Sequence, residues 1–417
     1  MNLLFIHQNM PGQFRHLIGA LAGSGGHRVV CISRRGDFSP PGVGRVVYEL
    51  PEAPGGPHPP SPAGTHWFAA PLDAAVRHGQ QVARACEILA RNGFQPDLVV
   101  AHPGWGESLY VKQVFPRAPL LHYCEWYYST RGADTNFDPM DAQGLDADCA
   151  TLTRNAPLLL ALEAGDWGVS PTAWQKHQHP AAYRPTISVR FDGINTDAAA
   201  PDPAARFRLP DGRTLAPGDE VVTYVARSLE PYRGFPSFMR ALPEILRRRP
   251  AAQVLVVGGD DVSYGRPPPN GITWRAALSA EVAPDPARVH FLGRIPRADY
   301  LRLLQVSAAH VYLTVPFVLS WSMLEAMSAG CLVVGSATPP VQEVIEDGRN
   351  GWLVDFFDTG AIADRVVEAL AQGDGLAKLR QAARWTALGG YSLARCLPRQ
   401  LALLEDVAAG RRPEAEP

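Results

Sequence analysis

Several things are scarce in this chain, and each scarcity excludes something. No apolar segment approaches the ~20 residues that a membrane-spanning helix needs. The opening residues, MNLLFIHQN, carry no basic cluster, and their apolar run stops at His7, so they read as a first strand and not as a signal peptide. Six cysteines (Cys31, Cys86, Cys124, Cys149, Cys331 and Cys396) are scattered without a CxxC pair. That excludes the usual zinc spacing and fits core thiols in a reduced, cytosolic setting. The formal net charge is -2, without the basic excess of nucleic-acid binders, so no nucleic-acid partner is expected. There is no repeat at solenoid spacing. No GxGxxG follows the first strand. The Gly-Ser-Gly-Gly at 23–26 comes after the first helix and ends it, which counts against an NAD enzyme.

What is present is a globular composition, 46% hydrophobic and 19% charged, over 417 residues. That is too long for one ordinary core, so two domains are expected. Short apolar strands alternate with segments of helical spacing. The first half predicts strands at 3–7, 27–33, 97–102, 120–124, 167–170 and 186–190, with helices near 14–21, 72–92 and 152–164. A Pro/Gly-rich loop is expected at 52–62. The second half predicts strands at 221–226, 253–257, 289–292, 310–314 and 332–335, and helices at 320–329, 361–370, 377–388 and 392–408. The resulting division is a Rossmann-like N-terminal domain over 1–197, a connection over 198–217 and a second Rossmann-like domain over 218–388. Residues 389–417 form a closing helix, expected to cross back to the first domain, and a polar tail. Two doubly wound α/β halves facing a central cleft are the simplest architecture.

Three places in the second half could carry chemistry. The first is Val225-Ala226-Arg227-Ser228-Leu229-Glu230-Pro231-Tyr232-Arg233-Gly234. Here two arginines follow a strand end, within reach of a diphosphate, although surface arginines explain the spacing too. The second is Gly258-Gly259-Asp260-Asp261, where bare backbone would let a ligand approach; the adjacent carboxylates suit a turn better than a metal. The third is the stretch from His310 to Gly351, a strand, loop, helix and strand. A helix opening at the carboxyl end of a strand offers free N–H groups to an anion. On it, Ser322-Met323-Leu324-Glu325 is also a capping box by pattern, so Glu325 could simply tie down its own helix.

These pieces form an ordered series. It runs from Arg227-x5-Arg233-Gly234 through Val256-Val257-Gly258 and Phe291-Leu292-Gly293-Arg294 to Leu324-Glu325-Ala326-Met327-x-x-Gly330, and ends at Glu343-Val344-Ile345-x-x-Gly348-x-x-Gly351. The series resembles the retaining family 4 glycosyltransferases with the GT-B fold and covers nearly all of the second domain. In the first domain the likeness is looser: the Pro11-Gly12 loop, 97–102, and Val169-Ser170-Pro171-Thr172 leading to Asp192-Gly193-Ile194-Asn195-Thr196.

The resemblance implies that Arg227 is the donor-phosphate arginine and that Arg233 stands in place of the family's usual lysine. It implies that Glu325 is the second glutamate of an E-x7-E motif and binds ribose hydroxyls. The backbone near Ile295 would meet the base, and Trp321 and Ser322 would give N–H groups to the diphosphate. Gly258 would lie along the donor, and Gly12 would let the first loop approach the sugar-phosphate. Ser320 replaces a usual glycine. Phe317 stands where the first glutamate of the motif belongs, which suggests a variant subgroup with altered sugar contact or lost turnover. Glu125 and His102, at strand ends of the first domain, are candidates on the catalytic side, although a loop histidine and a capping carboxylate explain them equally well. Trp126, Tyr127 and Tyr128 suit stacking on an acceptor sugar or plain packing.

The implied chemistry is transfer of a sugar from a nucleotide-sugar donor to a hydroxyl of a saccharide, lipid-linked or small-molecule acceptor, with retained configuration, in polysaccharide or glycoconjugate biosynthesis. No metal or other cofactor is expected, and Asp146-x-Asp148 is discounted as a metal motif because it does not sit at a strand end. A cytoplasmic protein is expected, with peripheral contact at the inner membrane face left open. The competing readings are a sugar-nucleotide epimerase on the same fold and a non-catalytic nucleotide-sugar binder.

Overall fold

The computed structural model describes residues 1–50, 65–139, 144–268 and 271–413; the loop expected at 52–62 lies outside these residues. The chain divides into two units, Met1–Asp192 with Cys396–Pro417, and Gly193–Arg395. The boundary thus falls at Asp192 and not at 197, and residues 198–217 belong to the second unit instead of forming a free connection.

The first unit is built on a parallel sheet of β1 (Asn2–Ile6), β2 (Arg28–Ser33), β3 (Val43–Val47), β4 (Leu98–Ala101), β5 (Leu120–Tyr123), β6 (Trp167–Ser170) and β7 (Ile187–Val189). Their order is β3-β2-β1-β4-β5-β6-β7. β1 is central: Leu3 is in register with Val29 on one side and Leu98 on the other. Its alternate residues feed two cores. Leu3 and Phe5 join Phe14, just before the first helix (Arg15–Gly23), Leu17 and Leu21 on it, and Leu403, Leu404 and Val407 of the last. Leu4 and Ile6 join Val82 and Cys86 of the long helix Ala70–Arg91. A strand buried on both faces reads as an unbroken apolar run, which is why β1 was visible in the sequence. β3 was not: it is an edge strand whose Gly44 and Arg45 are exposed.

The expected helix over 152–164 is two helices, Leu145–Arg154 and Ala156–Ala164. Pro157 lacks the N–H that would carry the ladder across. At the junction the Asn155 side chain pairs with both backbone groups of Tyr128, at 2.9 and 2.8 Å.

In the second unit a small antiparallel hairpin, β8 (Phe207–Arg208) and β9 (Thr214–Leu215), precedes a second parallel sheet. Its strands are β10 (Val221–Ser228), β11 (Gln253–Gly259), β12 (Val289–Gly293), β13 (Ala309–Tyr312), β14 (Leu332–Ser336) and β15 (Trp352–Val354), in the order β12-β11-β10-β13-β14-β15. The three-residue β15 escaped the sequence reading because it is too short to show a period. The two sheets share one topology. In each, the strand order reverses beside the first strand, between β1 and β4 and between β10 and β13, and at such a switch point the loops leaving the two strands splay apart and open a crevice.

Both sheets bury a histidine. Burial pushes His122 on β5 down to about 4 and His310 on β13 down to about 3. Both stay neutral in the fold, whereas in the unfolded chain they titrate near 6.5. The unfolded chain therefore binds more protons in this window, and stability present above pH 6.5 is lost as pH falls toward 4. Replacing His122 with Leu should flatten this acid limb, removing on the order of 3 kcal/mol of its fall between pH 6.5 and 4. Denaturant titrations at several pH values measure it; an equally steep loss in His122→Leu would contradict the assignment.

Candidate active site

At the second switch point β10 runs out at Ser228, and a short turn, Pro231–Arg233, leads to Gly234. Gly234 has φ +67°, and a Cβ there would lie 2.4 Å from Leu313, so only glycine lets the turn close against the β13 loop. That closure places Arg233. Its Nη1 donates to Thr314 Oγ1 at 2.8 Å and the Val318 carbonyl at 2.9 Å, and lies 3.4 Å from the Tyr312 hydroxyl. The guanidinium is thus anchored through one nitrogen. Arg227, on β10, is exposed, with no polar partner among the described residues. One fixed and one exposed guanidinium at a strand's carboxyl edge are groups of the kind that bind anions.

Between the arginines lies Glu230, which is fully buried. Its carboxylate accepts from the main-chain N–H groups of Ser263, Tyr264 and Gly265, with the shortest contact 2.9 Å, to Gly265. It holds the loop after β11 and brings Tyr264 in. The Tyr264 ring meets Phe317 at 5.0 Å, and Tyr232 meets Phe317 at 5.6 Å. Phe317 therefore sits in an aromatic cluster beside Arg233, whose guanidinium lies 5.7 Å from the Tyr264 ring.

The helix Trp321–Ser328 is capped by Ser320, whose hydroxyl accepts from Ser322 N–H at 3.3 Å. The capping-box reading is thereby corrected: the cap lies two residues earlier than Ser322, and Glu325 faces another helix. Its carboxylate, 6% exposed, accepts from Tyr300 Oη at 2.7 Å and is paired with Arg297, both on the helix Arg297–Gln305. Ile295 lies between β12 and that helix. Gly258 does not offer open backbone: a Cβ there would meet Leu229 at 2.7 Å, so the protein itself fills the space. Asp260 and Asp261 pair with Arg275 and Arg294.

At the first switch point Glu125 follows β5 and His102 follows β4. Glu125 Oε2 is 3.2 Å from His102 Nε2, and Glu125 Oε1 accepts from Gln13 Nε2 at 2.6 Å. Burial opposes the Glu125 charge, but the hydrogen bonds and the neighbouring His102 and His7 outweigh it and hold the carboxyl below its ordinary value. His102 stacks on Trp105 at 4.8 Å and on Tyr123 at 5.7 Å. Gly12 has φ +49°, and a Cβ there would lie 2.5 Å from the His7 ring. The aromatic loop is used internally. Trp126 is buried toward Trp174, Tyr127 meets His179, and the Arg154 guanidinium lies 3.9 Å above Tyr128. These contacts favour packing over sugar stacking.

Comparison with known proteins matches residues 25–199 to the family described as "Glycosyl transferase family 4 group" and residues 219–372 to "Glycosyl transferases group 1". Each half thus matches a glycosyl transferase domain, the first by the family 4 group and the second by group 1. A GDP-mannose-dependent alpha-(1-6)-phosphatidylinositol monomannoside mannosyltransferase of Mycolicibacterium smegmatis is 26% identical over 57% of this chain and 61% of its own length. A D-inositol 3-phosphate glycosyltransferase of Streptomyces avermitilis is 30% identical over 52% of this chain and 46% of its own. The chain thus spans about half to three fifths of these relatives. Among solved structures, the sucrose-phosphate synthase of Thermosynechococcus elongatus superposes with a TM-score of 0.68 at 18% identity, covering 98% of this chain and 100% of that one. Anabaena HepE in complex with UDP-glucose gives 0.66 at 16%, covering 97% and 100%. The fold is GT-B.

Within the second glycosyl transferase domain, Arg233, Phe317 and Ser320 gather around the β10 and β13 ends, Arg227 lies on β10, and Trp321, Ser322 and Glu325 follow on the next helix. Gly258 is absorbed by packing. In the first domain Gly12, His102 and Glu125 are gathered at one switch point. Sequence reasoning missed Gln13, Glu230, Tyr300 and Arg297. Glu230 could have been suspected, since it is a lone carboxylate between two arginines. Tyr300 and Arg297 had no local signal, because their partner is 25 and 28 residues away. No group of three or more His, Cys, Asp or Glu side chains among the described residues is arranged to hold a metal ion.

Burial and the Glu325 charge raise the Tyr300 hydroxyl well above its ordinary value, so it remains a donor to Glu325 at all working pH. Tyr300→Phe removes that bond from a buried carboxylate. The expected loss is about 1.5–3 kcal/mol of unfolding free energy, read as a lower denaturant midpoint at unchanged slope. A midpoint equal to wild type would show that Glu325 is not held in this way.

Proposed function

We propose that the chain is a retaining glycosyltransferase that moves a hexose from a nucleoside diphosphate sugar to an acceptor hydroxyl. The observation that carries this reading is the pair of arginines at the carboxyl edge of β10, Arg233 anchored on Thr314 and Val318 and Arg227 exposed, with no polar partner among the described residues. In the reaction the bond from the anomeric carbon to the diphosphate oxygen breaks and the acceptor oxygen bonds to the same face. The acceptor proton passes to the leaving phosphate. Charge grows on that phosphate in the transition state, and preorganised cations stabilise it there more than in the ground state. Arg227 and Arg233, with Trp321 N–H at the helix start, supply this charge. Glu325 takes ribose hydroxyls on its remaining lone pairs. The backbone at Ile295 meets the base.

Two named similarities suggest the substrates to try. The mycobacterial relative is named for GDP-mannose and a phosphatidylinositol monomannoside, and the HepE structure holds UDP-glucose. GDP- and UDP-hexoses are therefore the first donors, and inositol-type or saccharide hydroxyls the first acceptors. A lipid-linked acceptor would bring the chain to a membrane surface as a peripheral protein; no helix among the described residues is long and apolar enough to cross one.

Phe317 supports assignment to a subgroup without the first glutamate of E-x7-E, with an aromatic wall in its place. The same ring favours a second reading, a non-catalytic nucleotide-sugar binder. Release of nucleoside diphosphate only in the presence of acceptor distinguishes transfer; binding without release supports the second reading; an altered sugar without acceptor would mean epimerisation. Arg227→Ala should weaken nucleoside diphosphate affinity by roughly tenfold or more, measured by calorimetry. Unchanged affinity in a folded variant would sink the donor-site assignment.

A further inference from the structure

The loop after β1 carries a hydrogen-bond chain that can run in only one direction. The main-chain N–H of Asn9 donates to His7 Nδ1 at 2.9 Å, which leaves the imidazole proton on Nε2. That proton faces Gln13 Oε1, 2.9 Å away. The Gln13 amide is thereby oriented with its nitrogen toward Glu125 Oε1. On the other side, Gly104 N–H donates to His102 Nδ1 at 3.1 Å, so His102 Nε2 carries its proton toward Glu125 Oε2. With each ring's Nδ1 accepting a backbone N–H, each Nε2 is the donating atom, and the Glu125 carboxylate accepts at both oxygens.

The neighbouring residue is tied into a second chain. Gln8 Nε2 donates to His78 Nε2 at 3.3 Å. His78 Nδ1–H then faces the Tyr48 hydroxyl at 2.8 Å, and Tyr48 donates to Glu107 Oε1 at 2.8 Å. Burial pushes His78 down to about 4, so that ring too stays neutral. His7 and Gln8 thus anchor the loop in two separate networks, and the His7 ring occupies the place a Cβ on Gly12 would take.

We propose that His7 and Gln13 are positioning residues that hold Glu125 as an acceptor-only group for the hydroxyls of a polyol substrate. Each Glu125 oxygen has one donor and a lone pair to spare, and the side chain is 28% exposed, so the carboxylate can be reached from solvent. A group that only accepts selects a ligand that donates, and a ring bearing adjacent hydroxyls fits both oxygens. The titratable groups facing Glu125 are His102 after β4, His7 after β1 and Tyr123 on its own strand; Tyr123 is itself committed to Asp192. The choice of substrate rests on the transferase reading, whereas the direction of the chain does not.

The test is a carbon-13 carboxyl NMR titration of the full chain, with the Glu125 resonance assigned by its loss in Glu125→Gln. Wild-type Glu125 should titrate below the ordinary carboxyl range. In Gln13→Leu and in His7→Leu it should move up, while His7→Gln, which keeps a donor, stays near wild type. A Glu125 titration unmoved in both leucine variants overturns the positioning role. Addition of myo-inositol or methyl α-mannoside should shift the wild-type resonance and not that of Gln13→Leu; no shift with either compound overturns the polyol assignment. In turnover, Gln13→Leu should raise acceptor KM about tenfold at unchanged donor KM. Absence of turnover with every donor would defeat the transferase reading and leave the NMR result to decide this one.

Discussion

A parallel strand packed on both faces has nowhere to put a polar side chain except at its ends, and this constraint organises the molecule. In both sheets the strands are apolar almost to the last residue, and the chemistry begins where they stop. β1 ends at Ile6 and His7 follows; β4 ends at Ala101 and His102 follows; β5 ends at Tyr123 with Glu125 two residues on. β10 carries Arg227 in its last turn of pleat, and Thr314, Phe317 and Ser320 line the exit from β13. Because each sheet reverses its order beside its first strand, these exits converge without a designed pocket.

The two switch points solve different electrostatic problems. The second gathers cations, with Arg233 braced on neutral oxygens, so its charge is fixed in place without being cancelled by a carboxylate. The nearby acids are otherwise engaged: Glu230 is spent on three backbone N–H groups, and Glu325 on Arg297 and Tyr300. The first switch point gathers a carboxylate, Glu125, held by Gln13 and His102.

Much of this was legible in the residues. The apolar runs marked the central strands, and the spacing from Arg227 to Gly351 marked the second domain. β3 and β15 were not legible, since an exposed edge and a three-residue strand leave no period to read. Gly258 looked like a ligand contact because a bare backbone in sequence does not say what fills the space; Leu229 fills it. Glu325 looked half like a helix cap because its true partners, Arg297 and Tyr300, sit on a helix that only the fold brings near. Gln13 was invisible as anything but a polar residue in a helix start, since its meaning depends on Glu125, 112 residues away.

The last helix, Leu393–Ala408, supplies Leu403, Leu404 and Val407 to the core under β1. The second unit is therefore an insertion, entered after Asp192 and left before Cys396. During synthesis the core under β1 is started before the second unit and closed only after it. That core stays open on one face until Leu403, Leu404 and Val407 emerge, by which time the whole of the second unit has already been made.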